Sequence, residues 1–252
     1  MDLWSDNPVE RLRAARMPDV VLDWPSRIGA SAPMRPWPYG MPTSINPFVV
    51  FVGPSPGNSP PRHNPIHQAG MPYPLPTAGD AHPGLYVPDT RRYWHRVRNL
   101  GALLIRSHAA EISEPEAHAL TGQLNLGIGH FGKAKAAPLE PDYCRWVPET
   151  LLGQLKPAIV ILVGLASLLT RNQSRDSDPL SRLGIDWAAP EEEFPFAPYE
   201  RAQYRYRMWT RRRSDGRKIR FVLWPQHPSR APMTNDEIWL ESGREFVRRI
   251  GL

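Results

Sequence analysis

Four short apolar runs, at roughly 47–52, 122–127, 158–163 and 219–224, constrain this chain more than any other feature. Each is short and rich in β-branched or aliphatic side chains, most clearly Phe48-Val49-Val50-Phe51-Val52 and Ile159-Val160-Ile161-Leu162-Val163. Runs of that length without alternation suit strands covered on both faces, which is the condition of parallel sheets. Between them the spacing becomes helical. Thr90–Ser107 carries Tyr93, Trp94, Val97, Leu100, Leu103 and Leu104 on one stripe, and Asp142–Leu155 carries Trp146, Leu151, Leu152 and Leu155 before Pro157. A last helix is expected from Thr234, with Glu237 completing a capping box, through Ile238, Trp239, Phe246 and Val247. Alternating strands and helices predict an α/β fold, a three-layer α/β/α sandwich around a central four-stranded parallel sheet.

At 252 residues the periodic segments are accounted for by one domain, 1–252. Two stretches interrupt it. Residues 54–88 are dense in proline and predict a long loop over the sheet edge, and 171–200, with Glu191, Glu192 and Glu193, reads as a surface insertion. Tyr204-Arg205-Tyr206-Arg207-Met208-Trp209 then alternates and runs through Arg211, Arg212 and Arg213 to Ser214-Asp215-Gly216, a hairpin signal. Its basic tip is a candidate phosphate contact, or simply a solvated turn.

The net charge is +6 and is carried by arginine, since Lys133, Lys135, Lys156 and Lys218 are the only lysines. Arginine forks onto phosphate, so the charge favours a polyanionic partner such as DNA; a GC-rich genome gives the same bias without one. The single cysteine, Cys144, excludes an internal disulfide framework and a cysteine-ligated cluster, and no metal or other cofactor is expected. No apolar run reaches the ~20 residues of a membrane span and no leader pattern opens the chain, so a cytoplasmic protein is expected.

Two motifs stand where strands end. Gly53-Pro54-Ser55-Pro56-Gly57-Asn58-Ser59 follows the first run and His227-Pro228-Ser229 follows the last. Ligands of open α/β sheets bind outside the carboxyl ends of the strands, so the two loops are expected to share one cleft. Asn125 in Leu124-Asn125-Leu126 closes the second run, and Lys156-Pro157 opens the third, which ends at Gly164.

In this order the four features resemble the uracil-DNA glycosylase superfamily, over roughly 47–59 and 120–250, and Arg91–Val97 looks like a helix of its mismatch-specific and single-strand-selective branches. The resemblance implies that family's fold, a monomer, and a monofunctional glycosylase that flips a pyrimidine from DNA and hydrolyses its N-glycosidic bond. It implies His227 as the donor to the leaving base and Asn125 as the reader of its edge. Gly53, Pro54 and Gly57 would lie against sugar and base. Ser59 and Ser229 would hold phosphates, and Arg230 or Met233 would fill the vacated stack. Tyr73 or Tyr86 from the proline-rich segment would stack on the flipped base. The basic hairpin Arg211, Arg212 and Arg213 would add phosphate contacts.

The departures from the family are specific. Relatives carry Asp or Asn at the third loop position, or Glu at the second, where this chain has Ser55 and Pro54. Water positioning then falls to Ser55, Asn58, Asp80 or Asp89. Gly57 replaces the Tyr that blocks the pyrimidine C5 in the uracil-strict branch, which implies that uracil or a 5-substituted pyrimidine is admitted. Two further readings stay open: a defence enzyme excising hypermodified cytosine from phage DNA, and a catalytically silent DNA-binding module. No lysine is placed for a lyase step, Lys133 and Lys135 being the nearest in sequence to Asn125.

Overall fold

A computed structural model describes residues 2, 4–15, 46–53, 91–125, 152–153, 155–164, 183–196, 204–227, 233 and 235–250, at 91–94 and 123–125 for the backbone only. Helix α1 spans Pro8–Ala15, strand β1 Val49–Gly53, α2 Arg91–His108, α3 Glu114–Ala119 and β2 Thr121–Asn125. They are followed by β3 at Ile159–Val163, β4 at Glu192–Pro195, β5 at Arg205–Arg212, β6 at Lys218–Trp224 and α4 at Asp236–Ile250. Among these helices none is long and apolar enough to cross a membrane.

The strands form one mixed sheet in the order β2-β1-β3-β6-β5-β4. β2, β1, β3 and β6 run parallel, with Phe51 opposite both Gln123 and Ile161, and Ile161 opposite Val222. β5 and β4 then add an antiparallel pair, so the α/β sheet has six strands where four are expected. The Asp215-Gly216 turn does close a hairpin, Met208 pairing with Val222, and Gly216 takes a φ of +82° that suits glycine. The expected surface insertion contains a real strand: β4 lies inside 171–200. Its Phe194 packs on the core, Phe196 just beyond is fully buried, and Glu193 pairs across the ladder with Arg205 and Arg207. Exposed glutamates on an edge strand deter further pairing, which is why the segment reads as surface.

Both faces of the sheet are buried. Val49, Phe51, Ile161, Val163, Val222 and Trp224 form one core with Leu100, Leu104, Trp239 and Phe246 of α2 and α4. The alternate residues Val50, Val52, Val160, Leu162 and Phe221 are equally inaccessible. Trp224 is the hub of the first core, its ring centroid 4.9 Å from Tyr206, 5.3 Å from Phe246 and 5.4 Å from Trp239. Two of its polar ends are bonded, Tyr206 donating to the Ser242 carbonyl at 3.0 Å and Trp239 Nε1 to the Arg96 carbonyl at 2.7 Å, while Trp224 Nε1 is buried without a partner among the described residues. Burial pushes the Tyr206 phenol well above its usual range. α2 meets its neighbours at glycines. A Cβ on Gly101 would overlap the Thr121 side chain, and one on Gly243 would sit 2.5 Å from Leu100 Cδ1. The close approach of α2 to β2 and to α4 therefore depends on the missing side chains.

Asn235, one residue after the expected cap, starts α4. Its side-chain oxygen accepts the N–H of Glu237 at 2.9 Å and of Ile238 at 3.3 Å; Thr234 lies outside the described residues. α3 is opened by Ser113, whose N–H and hydroxyl both donate to Glu116, at 3.0 and 2.6 Å.

On α3, burial, with Arg98 and His95 nearby and only partly offset by Glu114, holds the His118 imidazole below its ordinary pKa. The unfolded chain therefore takes up this proton first as pH falls. The stability contributed by the neutral imidazole is complete above the ordinary histidine pKa of ~6.5 and declines as pH drops below it. Thermal melts of the wild type should fall between pH 7.5 and 5, and His118→Gln should melt with a shallower pH dependence over that interval. An unchanged slope in the variant would remove His118 as the cause.

Candidate functional site

The order β2-β1-β3-β6 contains a reversal. The chain leaves β1 toward β2 on one side, while β3 and β6 lie on the other, so the loops after β1 and β3 diverge at the carboxyl edge. The register places the candidate residues at that edge. Gly53, the last residue of β1, is directly opposite Asn125, the last of β2. Val163, the last of β3, is opposite Trp224, the last of β6, and His227 follows three residues later. With strands ~4.8 Å apart, Asn125 and the end of β6 are separated by about 14 Å, with Gly53 between them. Gly164, just past β3, turns with a φ of +70°, a conformation natural to glycine, in the same row. Gly53 is buried and His227 half-buried.

The helix starts converge there too. α2 runs antiparallel to β1, as its far end shows: His108 stacks edge-on against Phe48, just before β1, with ring centroids 5.1 Å apart. Gly101 abuts Thr121 at the start of β2. Ten residues of helix toward Arg91 rise ~15 Å, and four residues of strand toward Asn125 rise ~13 Å, so the start of α2 is level with the edge. α4 follows β6 and begins beside it, its Asp236 bonded to Arg96 Nε of α2. Two helix N-termini at one edge raise the local potential and favour negative charge. An amide residue, an imidazole residue and two helix N-termini at one edge are groups that can donate hydrogen bonds to a ligand and stabilise negative charge on it.

Ser55, Pro54, Gly57, Asn58, Ser59, Tyr73, Tyr86, Ser229 and Arg230, with Asp80, Asp89, Lys133, Lys135 and Cys144, lie outside the described residues. Two expectations need correction. Met233 is completely buried in the core with Trp224 and Trp239, so it is a packing residue and not an exposed wedge. The basic hairpin Arg211–Arg213 lies before β6, at the amino edge of the parallel strands. His227 lies beyond the other end of that seven-residue strand, some ~23 Å away. An antiparallel turn feeding a strand must sit at that strand's start, so these arginines cannot flank the His227 loop.

Arg211 instead lies against Gly184, Arg212 donates weakly to the Gly216 carbonyl at 3.4 Å, and Arg213 is buried in a clamp. Arg213 reaches the Lys156 carbonyl at 2.8 Å, the Trp4 carbonyl at 3.2 Å and the Asp215 carboxylate at 2.9 Å. Arg11, fully buried on α1, donates to the carbonyls of Ser5 at 2.6 Å, Pro47 at 2.6 Å and Lys156 at 2.8 Å. Arg217 adds the Trp4 carbonyl at 2.5 Å and the Asp2 carboxylate, a bond that holds Asp2 below its ordinary pKa. Lys156, held at a φ of +42° with its ammonium 5.5 Å from the Trp4 ring centroid, is the knot of this clamp. The motif Lys156-Pro157 thus has a structural role at the amino edge.

No group of three or more His, Cys, Asp or Glu that could hold a metal occurs among the described residues. Compared with protein-family models and with curated proteins, the chain matches none.

Proposed function

We propose that the chain is a monofunctional DNA glycosylase acting at the carboxyl edge of β1, β2 and β6, with a fold of the uracil-DNA glycosylase type. The observation that carries this reading is the alignment of Gly53, Asn125 and His227, scattered over 174 residues of sequence, along one edge of the sheet. That edge lies at the reversal in strand order where ligands of such sheets bind. A nucleotide flipped into the crevice would present its base to the Asn125 amide, which offers both donor and acceptor. The His227 imidazole would donate to the base oxygen that gains charge as the bond to the sugar breaks. The arginine-rich surface supplies the attraction to DNA that every such enzyme needs.

Gly57 in place of a blocking aromatic argues for a substrate with room at C5. Duplexes carrying uracil, thymine opposite guanine, 5-hydroxymethylcytosine and glucosylated hydroxymethylcytosine separate the cases. Alkali-labile abasic sites at a C5-substituted base, formed at least tenfold faster than at uracil, are expected. Strict preference for uracil would overturn the C5 assignment and leave the glycosylase reading standing. Activity on the glucosylated base would support a role against phage DNA.

The absence of Asp, Asn or Glu at positions 54 and 55 favours one other reading, a silent DNA-binding module. It predicts DNA binding that His227→Ala leaves untouched and no abasic site from any base.

A further inference from the structure

We propose that His95, Arg98, Asn99 and His118 line a phosphate-binding groove between α2 and α3. Its use as a grip on the DNA backbone rests on the glycosylase reading; its affinity for phosphate does not. Three buried polar atoms of these side chains, Arg98 Nε, Asn99 Oδ1 and His118 Nε2, have no hydrogen-bond partner among the described residues. Folded proteins satisfy nearly all such atoms, and three clustered on two packed helices point to a missing ligand. His95 is one turn from Arg98 and Asn99 on α2, at i, i+3 and i+4, and His118 on α3 lies near enough for Arg98 and His95 to act on it electrostatically.

The polarity of the groove fits an oxyanion. Asn99 Nδ2 lies 2.9 Å from His95 Nε2, and the amide oxygen and nitrogen are interchangeable within the same shape. With the amide turned over, its oxygen accepts the His95 Nε2–H and its NH₂ occupies the unpartnered position. Arg98 Nε–H, Asn99 Nδ2–H and His118 Nε2–H are then three donors, one of them permanently charged. Among the described residues the carboxylate acting on His118 is Glu114, 3.7 Å from His118 Nε2, beyond hydrogen-bond reach and 59% exposed, so it can turn to solvent.

The groove is also in the right place. Arg98 is one turn nearer the start of α2 than Gly101, which abuts the first residue of β2, so Arg98 lies on the way from that contact to the edge where Asn125 lies. A strand whose nucleotide enters the crevice would carry a neighbouring phosphate past it. The arginines of the β5–β6 hairpin, at the far edge, have no such access.

The test uses the full chain with isotope-labelled histidine, titrated with inorganic phosphate and, separately, with an unmodified DNA duplex. Phosphate should shift the His118 imidazole resonances at saturable, millimolar concentrations, and both Arg98→Gln and Asn99→Asp should abolish the shift while melting as cooperatively as wild type. For DNA, Arg98→Gln should weaken binding roughly threefold to tenfold and reduce the slope of log K against log salt by about one unit. A His118 shift with phosphate but no change in the DNA slope would assign the groove to free phosphate. Absence of a shift, or a shift that survives both substitutions, would overturn the site. Because neither readout requires base excision, failure of the glycosylase reading would be seen separately, as DNA bound without abasic sites.

Discussion

Replacing His227 by Ala should slow single-turnover base excision by about 10²–10³, with DNA affinity and melting temperature nearly unchanged. The size of the effect follows from when the donor acts. Before the glycosidic bond stretches, the base oxygen is a neutral carbonyl and the imidazole adds little. As the bond breaks, the base takes the electron pair, and a fixed donor in a water-poor crevice then stabilises far more charge than it cost to position. His227 is half-buried and three residues beyond a strand whose Trp224 is locked into the core, so truncating its side chain removes no atom of that core. A loss of rate without a loss of binding or stability separates this role from a histidine that only supports the local backbone. Equal rates in wild type and variant would move the chemistry away from this edge.

The largest effect on stability should come from Arg11→Met. The guanidinium is wholly buried, and burial together with Arg213 nearby lowers its pKa to about 9, still charged at neutral pH. It is held by carbonyls of three separate segments: the N-terminal turn at Ser5, the approach to β1 at Pro47 and the approach to β3 at Lys156. It also stacks 5.5 Å from the Phe48 ring centroid. Methionine fills the space but leaves buried carbonyls without donors, each worth about 1–3 kcal/mol. A total near 3–5 kcal/mol corresponds to a melting temperature lower by roughly 10–15 °C for a chain of this size. Arg11→Lys should recover little of it, because an ammonium cannot fork to three carbonyls. Excision measured well below the melting point should survive, since β1 separates this clamp from Gly53 by five residues, ~17 Å. A shift below 2 °C would mean that water replaces the guanidinium at no cost.

The strands at Val49–Gly53 and Ile159–Val163 were legible because their side chains are buried on both faces, leaving continuous apolar runs whose ends need shifting by only a residue or two. The hairpin was legible from Asp215-Gly216. Its distance from His227 was not, because a turn signal does not say at which edge of a sheet the turn will sit; that depends on the direction of β6 among its neighbours. β4 was hidden by its glutamates, which mark an edge strand and a solvated loop alike. Met233 illustrates a similar ambiguity: an apolar residue after a site motif suits a wedge or a core, and only packing against Trp224 and Trp239 decides. The clamp around Arg11 rests on carbonyls up to 145 residues away, a contact that no local pattern announces. For the groove at Arg98 a signal did exist in the i, i+3, i+4 spacing of His95, Arg98 and Asn99, but it acquires meaning only when His118 is brought opposite.

The most direct test of the central claim is mass-spectrometric detection of the free base released from duplexes bearing uracil or a 5-substituted pyrimidine, with the strand examined before alkali. Hydrolysis at the β1–β2–β6 edge predicts an intact free base and an unbroken strand carrying one abasic site, both absent with His227→Ala. DNA bound at stoichiometric protein with no base released from any duplex would contradict it.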